Sequence, residues 1–185
     1  MKTLSLNILD IVQNSVRAKA DEITIEISES ILSDHYHITI TDNGKGIPGE
    51  ILETVTDPFV TTRTKRRMGL GLPLLKYHAE VTGGKLVIAS ESGKGTRVCA
   101  VFSNSHLDRQ PLGDISGVLK ILIAGNPEIR FKYCHSTDKG EYSFNTGEAK
   151  EYLEVDTLNN AGLLEEIEEM INENLKDINA SGVLL

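Results

Sequence analysis

Cysteine is scarce: Cys99 and Cys134 are the only two in 185 residues. They stand far apart and match no metal-ligand spacing, which excludes a cysteine-rich metal site and fits a reducing compartment. Long hydrophobic runs are missing as well, none approaching the roughly 18 residues of a membrane-spanning helix. The N-terminal "MKTLSLNILDIVQNSVRAKA" is apolar but is interrupted by Asn7, Asp10, Gln13 and Asn14, which excludes a signal peptide. Positive charge is short: 19 Lys and Arg stand against 27 Asp and Glu, a net charge of −8. Such a chain gains little from counterion release on a polyanion and is not drawn to anionic lipid, so neither nucleic acid nor membrane is expected as its partner. Internal repeats and low-complexity segments are also absent from the sequence. The expectation is an ordinary globular protein of the cytoplasm.

Hydrophobic residues make up 39% and charged residues 25%, enough at this length for one full domain and a small second unit. Residues 5–20 read as a helix. At about 100° per residue, Ile8, Leu9, Val12 and Val16 share one side, and Asp10, Asn14 and Arg17 share the other. A carboxylate, an amide and a guanidinium therefore face one direction, away from the core. "EITIEIS" (22–28) and "YHITITD" (36–42) alternate as half-buried strands, and the short "ESILSDH" between them predicts an antiparallel hairpin. "GLGLPLLKYHAEVTGG" (69–84) predicts a glycine-rich entry to a helix that stops at a glycine pair. "KLVIAS" and "RVCAVF", joined through "ESGKG", predict a second hairpin. The polar, proline-bearing segment 103–113 divides residues 1–103 from a C-terminal α/β unit, 104–185. In that unit 114–124 reads as a helix, "EIRFKYCHS" and "EYSFN" as a hairpin, and 163–179 as an amphipathic helix with Leu164, Ile167, Ile171, Leu175 and Ile178 in phase.

The stretch "DNGKGIPG" (42–49) spells G-x-G-x-x-G behind a strand, the pattern of dinucleotide binding. Its context argues against that reading. The preceding strand is the second arm of a hairpin, Pro48 sits inside the pattern, and "TTRTKRR" stands where a ribose-binding acid is expected about 20 residues on. Asp42 is two residues beyond Ile40 and so points to the apolar face, where a carboxylate needs a donor. Two readings are open: the donor is an exocyclic amine on a ligand such as adenine, or Asp42 caps the following turn. Gly69 and Gly71 stand at a helix start, where free N–H groups and the helix dipole favour a phosphate; the alternative is a plain glycine turn. The basic run Arg63, Lys65, Arg66 and Arg67 is either a solvated loop or a mobile lid over an anionic ligand. "DRQPLGD" (108–114) is a functional motif or a linker ending in a helix cap, and the 163–179 helix is a partner-binding or dimerising face or the closure of its own small core.

Taken in order, these blocks resemble the ATP-binding domain shared by gyrase, the heat-shock chaperone, histidine kinases and mismatch-repair ATPases, the GHKL or Bergerat fold. "LDIVQNSVRAKADEITIEI" is similar to its N box, "DNGKGIP" to its first glycine box, "TDPFVTTR" to the histidine-kinase F box, "MGLGLPLLK" to its second glycine box and "SESGKGT" to its third conserved turn. The five blocks cover about residues 4–102. The resemblance implies a two-layer α/β (α+β) sandwich, a mixed sheet backed by helices, with ATP held beneath a lid. It implies that Asn14 coordinates Mg²⁺ through its side-chain oxygen, that Asp42 accepts from the adenine amine, and that Thr96 completes a water network there. Gly44 and Gly46, with Ile47 beside them, let the backbone pass close to the base. Gly69, Leu70, Gly71 and Leu72 cradle the phosphates, and Thr61, Thr62 and Arg63 of the F box join the nucleotide contacts. Arg17 occupies a position where kinases often carry a Lys near the phosphates. In hydrolysing relatives a Glu four residues before the Asn activates water; here it is Asp10, one methylene shorter, suited to water activation or to support of the Mg²⁺, or else a solvated helix carboxylate.

Histidine kinases carry a dimerising helix pair with the phosphoacceptor His before the N box. This chain starts almost at the N box, and none of its five histidines matches that context. The expectation is therefore a stand-alone, cytoplasmic ATP- and Mg²⁺-binding protein of histidine-kinase type, a weak ATPase or a kinase-like transferase towards a separate protein partner, with a homodimer possible. The alternative is a non-catalytic, nucleotide-gated module comparable to anti-sigma factors. A nucleic-acid clamp is a weak third reading, since the net charge and the missing transducer domain oppose it.

Overall fold

Alternating isoleucines build the centre of the molecule, for which a computed structural model describes residues 3–52, 54–57 and 71–181. In β1 (Glu22–Ser30) and β2 (His35–Asp42), Ile23, Ile25, Ile27, Ile38 and Ile40 are each no more than 1% exposed. The two strands pair antiparallel, with Ile25 opposite Ile40 and Ile27 opposite Ile38. β4 (Gly95–Ser103) lies on the other side of β2, placing Val98 and Ala100 beside those isoleucines, and β3 (Lys85–Glu91) forms the edge beyond it. β5 (Arg130–Thr137) joins the free side of β1 in parallel, with Phe131 opposite Ile23, and β6 (Gly140–Asn145) folds back on β5. The result is one mixed six-stranded sheet in the order β3–β4–β2–β1–β5–β6. Residues after 103 thus extend the sheet that the first hundred began.

Helices cover the apolar face of this sheet. α1 (Leu4–Arg17) packs against α3 (Gly71–Val81) and α4 (Ile115–Gly125), and α4 packs against α6 (Ala161–Asp177). This is the two-layer α/β sandwich that the sequence motifs implied. Two short helices were not expected from the sequence, α2 (Gly49–Leu52) and α5 (Thr146–Leu153); neither is long enough to show a helical period. α1 stops three residues short of the predicted end. Lys19 takes a left-handed conformation, φ +60°, and the N–H groups of Lys19 and Ala20 reach back to Val16 O and Ser15 O at 3.0 and 3.2 Å, closing the last turn in a Schellman arrangement. No helix of the described residues is long and apolar enough to cross a membrane.

The segment "DRQPLGD" is the linker and cap of the two readings. The first N–H groups of a helix have no partner within it, and those of Leu4 and Ser5 donate to Pro111 O and Leu112 O at 3.0 and 2.8 Å. The Arg109 guanidinium lies 4.6 Å from the centroid of the buried Tyr36 ring, and Gln110 Oε1 accepts from Asn7 Nδ2 at 3.2 Å. Asp114 caps α4, accepting from Gly117 N at 2.8 Å. α6 buries Leu164, Ile167, Ile171 and Leu175 within the chain and is tied to α4 by Lys120–Glu168 at 2.8 Å and Ser116–Asn172 at 2.7 Å.

One buried ion-pairing group sits at the end of the sheet remote from Asp42. Glu29 Oε1 accepts from His135 Nε2 at 2.9 Å and from Ser181 N at 2.7 Å, while His135 Nδ1 meets Tyr133 Oη at 2.8 Å. Burial pushes the Glu29 carboxyl up, but the hydrogen bonds from His135 and Ser181 outweigh it and hold it below the ordinary 4.5. A group whose folded value is lowered stabilises the fold above its unfolded value and loses that contribution as the pH falls through the folded one. Glu29→Gln is therefore expected to lower stability at neutral pH and to flatten the acid side of the profile below 4.5. Urea midpoints measured across that range check it; parallel profiles for wild type and variant would show that Glu29 is not a source of the acid sensitivity.

Candidate functional site

α1 is the spine of the site, because each turn of it touches a different piece. On its buried side Ser15, only 4% exposed, donates to Asp42 Oδ2 at 2.5 Å. The other oxygen, Asp42 Oδ1, accepts from Gly44 N at 2.9 Å. The turn-cap bond considered from the sequence is thus present, yet it takes one of about four acceptor positions of an ionised carboxylate. A second role for Asp42 stays open. The β2–β4 register sets Thr96 directly opposite Asp42, and the β3–β4 register sets Ser90 opposite Thr96. Ser90, Thr96 and Asp42 therefore form a polar row across three strands, at the end of a face that is otherwise apolar.

The loop after Asp42 is gripped from both sides. Lys45 N donates to Ala18 O at 2.9 Å, at the end of α1, and Gly93 N donates to Lys45 O at 2.8 Å from the β3–β4 turn. Ile47 N donates to Ser90 Oγ at 2.8 Å. Gly44 and Gly46 are required by this closeness. A Cβ on Gly44 would stand 2.8 Å from Ala18 O, and one on Gly46, whose φ is +69°, would overlap Glu91 O.

The polar side of α1 carries the charged groups. Asn14 Oδ1 accepts from Arg17 Nη1 at 2.5 Å, and Arg17 Nη2 reaches Gln13 Oε1 at 3.4 Å. One turn earlier the Asp10 carboxylate rests against the first residue of α3: a Cβ on Gly71 would overlap Asp10 Oδ2 and stand 3.0 Å from its Cγ. A side chain at 71 would displace the Asp10 carboxylate from this contact, and Leu72 is buried behind it. The structure so brings together Asp10 with Gly71, Asn14 with Arg17, and Asp42 with Gly44 and Thr96. Thr61, Thr62, Arg63, Gly69, Leu70 and the basic run fall outside the described residues.

Comparison with known proteins decides what this arrangement belongs to. The profile of the family described as "Histidine kinase-, DNA gyrase B-, and HSP90-like ATPase" matches residues 2–106. The chain belongs to this ATPase family. Its relatives include a protein described as "Putative sensor histidine kinase NtrY-like" from Rickettsia conorii, 32% identical over 56% of this chain and 17% of the relative. Sporulation kinase C of Bacillus subtilis is 34% identical over 48% of this chain and 20% of its own, and the sensor histidine kinase ZraS of Salmonella typhi is 37% identical over 52% and 20%. The chain therefore spans about a fifth or less of these curated relatives. Among solved structures, the N-terminal domain of a DNA repair protein superposes with a TM-score of 0.52 at 21% identity, over 78% of this chain and 52% of that one. That likeness shows the fold. It also reaches beyond the residues of the ATPase profile.

Two polar residues that join the cluster around Asp42 and Thr96 escaped the sequence reading: Ser15 and Ser90. Each left a signal. Ser15 lies three and four residues after Val12 and Ile11 and so falls on the apolar side of α1, where a hydroxyl needs a purpose. Ser90 follows Leu86 and Ile88 at period two and ends an apolar strand face with a polar residue.

Proposed function

We propose that this chain is a Mg-ATP-binding protein of histidine-kinase type, acting in the cytoplasm as an ATPase or as a phosphotransfer subunit towards a separate protein, alone or as a homodimer. The observation that carries the reading is Asp42: a carboxylate 9% exposed, aimed by Ser15 and Gly44 and set opposite Thr96. The residues present also fit Mg²⁺. The Asn14 amide oxygen already holds a cationic partner, the Arg17 guanidinium, and Mg²⁺ takes a few protein oxygens alongside phosphates and water. Among the described residues no cluster of three or more His, Cys, Asp or Glu forms a cage of its own, which suits an ion held jointly with nucleotide. Mg²⁺ bound there would neutralise charge on the phosphates. Arg17 then turns from Asn14 to the phosphates, the start of α3 offers them backbone N–H groups, and Asp10 orients water.

A second reading, the nucleotide-gated module without turnover, is favoured by the packing of Asp10 against Gly71, which engages the carboxylate with the start of α3. Incubation of the pure protein with Mg²⁺ and γ-labelled ATP, beside Asp10→Asn and Asn14→Ala, separates turnover from binding alone. Free phosphate that disappears in both variants is the expected result for an ATPase with Asp10 at the water. Bound ATP with neither free phosphate nor labelled protein fits the gated module or a phosphotransfer subunit still without its protein substrate, and failure to bind Mg-ATP at all overturns both.

A further inference from the structure

We infer that two hydroxyls, Ser15 and Ser90, set the hydrogen-bond polarity of the base pocket so that it presents only acceptors, and thereby select a 6-aminopurine over a 6-oxopurine. The inference rests on the nucleotide-binding reading above and adds to it the residues that impose base specificity.

The protons around Ser90 can be assigned one by one. Ser90 Oγ makes three contacts: it donates to Gly95 O at 2.9 Å, accepts from Ile47 N at 2.8 Å, and meets Thr96 Oγ1 at 2.9 Å. A seryl hydroxyl has one proton and two lone pairs. A carbonyl oxygen can only accept and an amide N–H can only donate, so the Ser90 proton goes to Gly95 O. All three contacts are satisfied only if Thr96 is the donor to Ser90. Its own proton is then spent, and Thr96 Oγ1 offers the pocket nothing but lone pairs.

The same holds on the other side of the row. Asp42 Oδ2 accepts from Ser15 Oγ and Asp42 Oδ1 from Gly44 N, so both carboxyl oxygens act as acceptors. Lys45 N is consumed by Ala18 O. The donors of Ser15, Gly44, Lys45, Ile47, Ser90 and Thr96 are thus all directed inward, to protein acceptors. What faces a base between Asp42 and Thr96 is lone pairs. An exocyclic amine, directly or through water, satisfies them; a 6-oxo group sets acceptor against acceptor and leaves buried groups unpaired, the more costly outcome.

Ser15 and Ser90 act through Asp42 and Thr96 and are positioning residues. The test is the ratio of dissociation constants for ITP and ATP, measured by calorimetry on the full chain, with the 6-unsubstituted purine riboside triphosphate as an intermediate probe. In the wild type, affinity is expected to fall from ATP to the 6-unsubstituted analogue to ITP, by about tenfold per step, one charged or neutral hydrogen bond lost each time. Ser90→Ala frees the Thr96 proton to turn towards the base, and Ser15→Ala frees the Asp42 carboxylate to turn. Each is expected to lower the ITP-to-ATP ratio by about tenfold, while Ser15→Thr and Ser90→Thr keep it. A merely structural role would weaken all three nucleotides alike and leave the ratio in place. Wild-type protein that binds ATP and ITP equally, or alanine variants that bind with an unchanged ratio, overturns the inference alone. A wild type that binds no purine triphosphate overturns the nucleotide reading itself. Should the alanine variants fail to fold, Ser15→Cys and Ser90→Cys, which keep the side chain's shape but donate weakly, carry the same comparison of ratios.

Discussion

Gly95→Ala is expected to lower the melting temperature by about 8–16 °C, against about 3–6 °C for Gly93→Ala two residues away. Both glycines lie in the left-handed region, at φ +109° and +82°, so both variants carry a backbone cost of about 1–2 kcal/mol. Their surroundings differ. A Cβ on Gly93 meets nothing within 4 Å, whereas one on Gly95 overlaps Asp42 O and stands 2.9 Å from Asn43 Cα. Those are main-chain atoms of the neighbouring strand, and they cannot swing aside as a flexible side chain would. Overpacking against them adds about 1–3 kcal/mol, for a total of about 4 kcal/mol out of the 5–15 that typically hold a domain together. The strand that must yield carries Asp42, so nucleotide binding should fall with stability. Thermal unfolding followed by circular dichroism provides the measurement. Equal shifts for the two variants would mean that conformation, and not the close approach of β4 to β2, is why a glycine stands at 95.

The second large effect is on binding. Asp42→Asn replaces one acceptor oxygen by an NH₂ group, so either the Ser15 or the Gly44 donor loses its partner, or the ligand amine does. A loss of about 1–3 kcal/mol in ATP affinity is expected, the range for a hydrogen bond to a charged group, with a fall in melting temperature because the turn cap is weakened as well. Titration with ATP and with GTP, set beside thermal unfolding, distinguishes the two roles. A variant that melts early but keeps the affinity and preference of the wild type would reduce Asp42 to the cap of its turn.

Much of the first half of the chain was legible because its signals are local. Alternating isoleucines announce β1 and β2, the glycine pair after Val81 ends α3, and the polar side of α1 shows Asp10, Asn14 and Arg17 together. Other features depend on contacts that no window of sequence contains. The parallel pairing of β5 with β1 is set by tertiary packing; Phe131 and Tyr133 have the phase of a strand but carry no mark of their neighbour. α5 is eight residues long, and its start rests on Asn145 accepting from Gly147 N at 2.9 Å, a capping bond that a strand-then-turn reading passes over. The role of Ser90 follows from three partners at 47, 95 and 96, only two of which are near it in sequence. Glycines misled and informed at once: 44, 46 and 49 imitate a dinucleotide pattern, while the reason for Gly46 is the carbonyl of Glu91.

The β1–β5 seam has a consequence during synthesis. Glu22 pairs with Arg130, so β1 leaves the ribosome long before its parallel neighbour exists. At about 5–20 residues per second, that interval is about 5–20 s. β2 covers one side of β1 within moments, but the other side presents a row of unpaired N–H and C=O groups, flanked by the isoleucines that will later meet Phe131 and Tyr133. An open, apolar strand edge is a template for the wrong chain, and here two nascent copies on one polysome would offer it to each other. The seam that joins the two ends of the sheet in the finished fold is, while the chain is being made, the place most in need of a chaperone.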